Sequence, residues 1–335
     1  MTKLAEAPAF YRDAIVWDAH SCLPLRPGQD MSALERHHAA GATYVSINVG
    51  MDFNPVGQIV QVLAGFRDWL ARHPDRFLLA DSVADVARAK REGKLAVAFD
   101  LEGSVMLQDD LAMLRLYRDL GVRQIHLAYN RNNSIAGGCH GGDRGLTELG
   151  RAVVREINAL GLLMDCSHVS RRTSLEIMEL SSKPVVFSHA NVRALKDHPR
   201  NIDDAQIRAC AATDGVIGLS GIGVFLGEND IRTETLLRHV AYLAERIGVR
   251  HIGLGLDYVF EPGDNDLPPT EDPEDWWPSA CGYNFPSLKI VPPERLPEIA
   301  GALLSFGFSD AEASAVLGGN FLRVAEATWP VKAQA

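Results

Sequence analysis

Residues 162–222 read LLMDCSHVSRRTSLEIMELSSKPVVFSHANVRALKDHPRNIDDAQIRACAATDGVIGLSGI. Three short apolar runs, Leu162–His168, Pro184–His189 and Gly215–Ile222, alternate there with two helix-like segments, Ser170–Ser181 and Asp203–Thr213. The runs have strand length, and the segments between them have the apolar period of a helix. Such alternation means parallel strands joined by helical crossovers. The pattern continues upstream with Ile15–His20, Thr43–Val49, Leu95–Glu102 and Gln124–Tyr129, and downstream with His251–Tyr258. Helical segments are expected at Gln58–His73, Leu111–Leu120, Thr147–Leu160 and Glu234–Ile247, with Gly121, Gly161 and Gly248 placed as left-handed stops. Eight such units suit a closed (β/α)8 barrel of about 250 residues better than an open doubly wound sheet. Pro293–Phe306, Asp310–Leu317 and Asn320–Thr328 are expected to pack on it as extra C-terminal helices, and the last six residues to fray. No linker or repeat interrupts residues 1–335, which read as one domain.

Composition narrows the function. Asp plus Glu outnumber Lys plus Arg by 43 to 33, a formal charge of −10, which argues against a nucleic-acid partner. No run of eighteen apolar residues is present, so no membrane span is expected. MTKLAEAPAFYRDAIVW at the N-terminus lacks an unbroken apolar region and reads as no signal peptide. Cys22, Cys139, Cys166, Cys210 and Cys281 are scattered and odd in number, which predicts free thiols and a cytoplasmic location. Gly221–Gly227 has the wrong spacing for a dinucleotide loop, and neither Ser167 nor Ser188 lies in a nucleophile elbow. His37-His38 sits in a polar helical stretch and is expected to be exposed.

The strand ends carry the chemistry. The first run ends in Asp18-Ala19-His20, the third in Asp100-Leu101-Glu102, the fifth in Asp165-Cys166-Ser167-His168, the sixth in Ser188-His189 and the eighth in Asp257. Barrel active sites are built at the C-terminal ends of strands, so five strands aim His, Glu or Asp at one volume. The two-residue strand period puts Asp18, His20 and Cys22 on one face, and Asp100 with Glu102 on another. Any one of these histidines alone is more often a hydrogen-bonded structural residue. Together, buried imidazoles and carboxylates are costly unless paired or metal-bound. Mixed nitrogen and oxygen ligands favour zinc, with manganese, cobalt and iron as alternatives.

DAHSCLP at Asp18–Pro24, FDLEG at Phe99–Gly103, MDCSHVS at Met164–Ser170, FSHAN at Phe187–Asn191, HPRNI at His198–Ile202, IGLGLD at Ile252–Asp257 and LGGNFLRV at Leu317–Val324 follow one another in this order. As a set they resemble the renal (membrane) dipeptidase family, zinc peptidases of the amidohydrolase superfamily, over residues 15 to 325. The resemblance implies a metallo-dipeptidase in which His20 and Glu102 bind a first zinc. Glu102 would bridge to a second zinc held by His168 and His189, and a metal-activated hydroxide would attack the peptide carbonyl. Asp257 would move the proton, and Arg200 would hold the free carboxylate of the dipeptide. L-Xaa-D-Xaa dipeptides are within the family's range, and a homodimer is expected. From the residues alone, Arg200 reads rather as a surface arginine ahead of the helix cap Asp203, since exposed arginine is the default.

Two positions depart from the family. Its first motif carries a ligating Asp where this chain has Cys22. A thiolate also binds zinc, so Cys22 is kept in the ligand set, and a mononuclear site or a small buried apolar residue is the alternative. At the end of the fourth strand the family has a substrate-contacting His, and this chain has Tyr129, whose phenol can donate to an oxyanion. Asn130 opens the following loop and is taken with Tyr129 and Arg200 as a substrate-binding residue. The stretch 259–288, with Trp276-Trp277, is expected to form a lid or a dimer contact. The competing readings are a divergent or mononuclear hydrolase of another amide, lactam or ester, and a catalytically impaired binding protein.

Overall fold

The computed structural model describes residues 7–261, 266–284 and 287–330. Fraying of the last residues is therefore an expectation that lies, Pro330 apart, outside the described ones. Ten strands run through it: β1 (Trp17–Cys22), β2 (Tyr44–Met51), β3 (Phe77–Leu79), β4 (Leu95–Glu102), β5 (Val122–His126), β6 (Leu163–Asp165), β7 (Val185–Phe187), β8 (Val216–Leu219), β9 (Ile252–Leu254) and β10 (Tyr258–Val259). All of their pairings are parallel, in the order β10-β1-β2-β4-β5-β6-β7-β8-β9. β9 and β10 are two pieces of one chain segment. The first pairs with β8 and the second with β1, and between them Asp257 N donates to His20 O at 2.9 Å. The sheet therefore closes into the expected barrel.

β3 was not foreseen. It lies along the first half of β4, with Phe77 opposite Leu95, while β5 takes the second half from Phe99 onward. The helices begin where capping residues stand: Thr147, Ser170 and Asp203 each accept backbone N–H bonds at the starts of Glu148–Leu160, Arg171–Leu180 and Asp204–Ala212. Gly161 is the expected left-handed stop, with φ 72° and ψ 38°. Gly248 is not, because its ψ of 159° puts it in a region open only to glycine. No helix among the described residues is long and apolar enough to cross a membrane.

The two ends of the barrel differ. The N-terminal end is closed by aromatic rings: Trp17 stacks on Tyr44 at 3.7 Å and meets Phe321 and Trp329 from the last helix, Asn320–Thr328, and the residue after it. A Cβ at Gly253 would fall 2.4 Å from the Phe321 ring, so glycine is what lets this helix seat. The C-terminal end is polar. One irregularity decides which side chains reach it. Asp18 pairs with Val45 but Ser21 with Ile47, so β1 spends an extra residue against β2. Such a bulge reverses the in–out alternation. Asp18 accordingly turns away from the barrel axis and bonds His37 Nε2 (2.8 Å), Ser21 Oγ (2.7 Å) and Leu256 N (2.7 Å). The expectation that Asp18 shares a face with His20 and Cys22 fails for this reason. So does the expected exposure of His37, which is fully buried because Asp18 needs a partner there.

Candidate metal centre and substrate pocket

Beyond the bulge, His20 and Cys22 point inward. His20 Nδ1 faces Asp100 Oδ1 at 3.1 Å, which leaves Nε2 directed at Cys22 Sγ (3.3 Å), Glu102 Oε1 (3.5 Å) and Asp257 Oδ1 (3.8 Å). His168 Nε2 lies 2.9 Å and His189 Nε2 3.5 Å from the same Glu102 oxygen, and the two imidazole nitrogens are 2.8 Å apart. The other Glu102 oxygen accepts a bond from Asn48 Nδ2. His168 Nδ1 is held by Asn130 Oδ1 and His189 Nδ1 by Ser188 Oγ, both at 2.7 Å. His168 and His189 are thus hydrogen-bonded at Nδ1, His20 faces a carboxylate there, and all three converge at Nε2, the arrangement in which outer partners orient metal ligands.

Electrostatics agree with such a site. Burial pushes Glu102 up to about 7, against the pull of His20 and His126. Burial and the Arg200 guanidinium hold His168 well below the usual imidazole range, and burial with the neighbouring His20 does the same to His189. For His20, burial works downward but Asp100 and Glu102 outweigh it and raise it. Burial takes the Cys22 thiol up to about 12 and raises Asp257. Asn130, His168 and Asp257 all have left-handed backbones, at φ 59°, 66° and 56°. Non-glycine residues pay for that conformation, and it concentrates where function needs it. Three neutral-capable imidazoles, a carboxylate shared among them, a second carboxylate and a thiol form a donor set that fits a divalent cation.

A cavity opens above this floor, walled by Met51, Phe53, Tyr129, Ile222, Phe225, Trp277 and Tyr283. Arg200 reaches it from the side, with Nη2 at 3.1 Å from His168 Nε2 and donating to His189 O at 3.3 Å. It is 4% exposed, which settles its place against a surface reading, and no ion pair engages it among the described residues. The Tyr129 hydroxyl accepts from Trp277 Nε1 at 2.8 Å, so its own proton is free to be donated into the cavity. Asn130 lines the cavity too, but its amide is spent: besides His168, its Nδ2 donates to Trp276 O at 2.8 Å. It stands directly behind a ligand candidate at the cavity wall. Trp277 walls the cavity, and both Trp276 and Trp277 are buried in an edge-to-face cluster with Phe53.

Asp52 escaped the sequence reading, while the strand-end Asp165 has a partner of its own. His126 pairs with Asp165 at 2.7 Å, and although burial opposes it, His126 and bonds from Ser188 and Ser167 keep Asp165 at about 2. Asp52 accepts from Ser104 N, Val105 N, Tyr129 N and Asn133 Nδ2, tying the loops after β2, β4 and β5 together. The only hint of Asp52 in the sequence is an acid just past the second strand. Cys139 Sγ meets Asn130 Oδ1 at 3.3 Å and His140 Nε2 meets the Tyr283 hydroxyl at 3.1 Å.

Parallel strands closed into a ring, with ligand-type side chains gathered at their C-terminal ends, define a (β/α)8 barrel with a candidate metal centre. The family follows from comparison: the model of the membrane dipeptidase family (peptidase family M19) matches residues 12–268, and the chain belongs to that family. It is 30% identical over 257 residues to the dipeptidase tcpJ of Claviceps purpurea, an alignment covering 75% of this chain and 55% of that protein. The chain thus spans about half the length of this curated relative. Among solved structures, an amidohydrolase from Pseudomonas aeruginosa is 26% identical with a TM-score of 0.85, covering 97% of this chain and 99% of that one. A metallo peptidase from Rhodobacter sphaeroides, liganded with a phosphinate mimic of the dipeptide L-Ala-D-Ala, is 22% identical with a TM-score of 0.75 over 95% of this chain and all of that one. At that identity the likeness is one of fold.

Proposed function

We propose that the protein is a metal-dependent dipeptidase. The observation that carries this reading is the convergence of three imidazole Nε2 atoms on one Glu102 oxygen beneath an apolar cavity that also presents an arginine without an ion pair among the described residues. Two zinc ions would be held by His20, Cys22 and Asp257 on one side and by His168 and His189 on the other, with Glu102 within reach of both. Zinc bound there would lower the pKa of a water and polarise the peptide carbonyl.

The chain's own residues supply the rest. Arg200 has a planar fork suited to a carboxylate and so selects a free C-terminus. Tyr129 has a free proton at the cavity and donates to the oxygen that gains charge as the carbonyl is attacked. Asp257, raised by burial, is suited to carry a proton from the attacking water to the leaving amine. Trp276 and Trp277 exclude bulk water from this volume. The five free thiols support a reducing, cytoplasmic compartment.

Elemental analysis of protein purified without added metal, followed by assays on L-L and L-D dipeptides, tests the proposal. Two divalent ions per chain with dipeptide turnover support it. A second reading is favoured by Cys22 standing beside His20: one ion per chain, with amide, lactam or ester turnover in place of dipeptides, would replace the first reading. No ion even after zinc is added would overturn both.

A further inference from the structure

We propose that Asn130 is a positioning residue that couples the segment covering the cavity to the orientation of His168. This rests on the metal reading above for its consequence, though not for its geometry. Trp276 O is an acceptor only, so the Asn130 group 2.8 Å from it must be the amide nitrogen. That turns Asn130 Oδ1 to His168 Nδ1, 2.7 Å away, and an amide oxygen there requires the proton on Nδ1. His168 then presents an unprotonated Nε2 to Glu102 and His189. A backbone carbonyl in the cover thereby sets the tautomer of a ligand candidate through a single side chain.

The surroundings leave Asn130 little freedom. It is 1% exposed, its backbone is left-handed, and its carbonyl accepts from His140 N at 2.7 Å. Cys139 Sγ adds a weak donor to the same Oδ1 at 3.3 Å. The cover is itself fastened beside this point, by Trp277 to Tyr129 and by Arg131 to Asp275 at 3.1 Å and over the Trp276 ring. When the cover lifts, the Asn130 amide loses the partner that fixes its orientation. The imidazole then regains rotational freedom, so the ligand set is in order when the cavity is closed.

Two variants separate the halves of the amide. Asn130→Gly removes both bonds and accepts the backbone. Asn130→Asp keeps the acceptor for His168 and removes the donor to Trp276. Three measurements apply: nitrogen NMR of the His168 ring, amide hydrogen exchange over residues 273–281, and cobalt(II) affinity by competition with a chromophoric chelator. The wild type should show the Nδ1-protonated ring. Asn130→Gly should lose that signature, exchange faster over 273–281 and bind cobalt about 10- to 100-fold more weakly, the usual effect of losing an outer-sphere partner. Asn130→Asp should show the faster exchange but keep the tautomer and most of the affinity. Wild-type tautomer and affinity in Asn130→Gly, or wild-type exchange in Asn130→Asp, would overturn the coupling. If the wild type binds no cobalt, the proposed function fails, while the ring signature and the exchange still decide this inference. If Asn130→Gly does not fold, the Asp variant decides alone: slow exchange or a changed tautomer there is the overturning result.

Discussion

The two sides of the Glu102 cluster are built differently. His168 and His189 follow short strands, β6 and β7, and their Nδ1 atoms rest on neutral groups, an amide oxygen and a hydroxyl. His20 lies within the bulged strand β1, faces the Asp100 carboxylate, and has Cys22 and Asp257 for company. A carboxylate behind an imidazole makes it a more basic ligand than an amide does. Cys22 lies on the His20 side and Tyr129 packs on the His168 side. One half of the site thus rests on neutral partners and the other on charged ones, and substitutions on the two sides should fail in different ways.

The largest effect is expected on the His168 side. His168→Ala removes a nitrogen 2.9 Å from the shared oxygen and should take turnover to background, with thermal unfolding little changed because the residue lies at a strand end rather than in the apolar core. Full activity in that variant, by dipeptide assay, would remove the metal assignment. Next in size is Tyr129→Phe, which deletes one proton and keeps the ring against His168. It should lower kcat by about 10²–10³ with KM nearly unchanged, the range for a lost oxyanion donor. An unchanged kcat would mean that the hydroxyl serves only Trp277. Arg200→Ala should raise KM by about 10- to 100-fold for substrates with a free C-terminal carboxylate, as expected for a lost charge-assisted bond. Amidated analogues should show no such penalty, and an equal penalty would place the carboxylate elsewhere.

Why some of this was legible before any coordinates, and some not, follows from how local each signal is. Five of the barrel strands announce themselves because the apolar run leads into a His, Glu or Asp, and helix starts at Thr147, Ser170 and Asp203 carry their own caps. Phe77–Leu79 gives no such sign: three residues with no polar end make a strand only because the first half of β4 needs a partner. The bulge in β1 is a relation between two strands, visible only once Val45 and Ile47 are paired, and it misleads any reading by simple alternation. His37 followed it into error, since its burial depends on where Asp18 turns. His20, Glu102, His168 and His189 were legible as a group because five strand ends repeat one theme. Asn130 was legible as a site residue but not in its role, because an amide's orientation is decided by a carbonyl 146 positions further along the chain.

The finest contrast between the two sides is at Cys22. Its sulfur lies 3.3 Å from His20 Nε2 and shares a ligand-sized cluster with Asp257, so as a thiolate it would add sulfur to one position only. Burial holds the thiol protonated up to about 12 when nothing binds it, so a cation must displace that proton to use it. If it does, cobalt(II) protein should show the intense sulfur-to-metal absorption that nitrogen and oxygen ligands lack, and Cys22→Ser should abolish it. His20, Glu102 and Asp257 remain in that variant, so the loss in affinity should be modest, about tenfold or 1.4 kcal/mol, and confined to the more weakly held ion. Cys22→Asp should restore tight binding without the absorption, because a carboxylate supplies the charge but not the sulfur. A wild type with two cobalt ions and no such band would make Cys22 a bystander. The asymmetry of the cluster would then come from Asp100 and Asp257 alone.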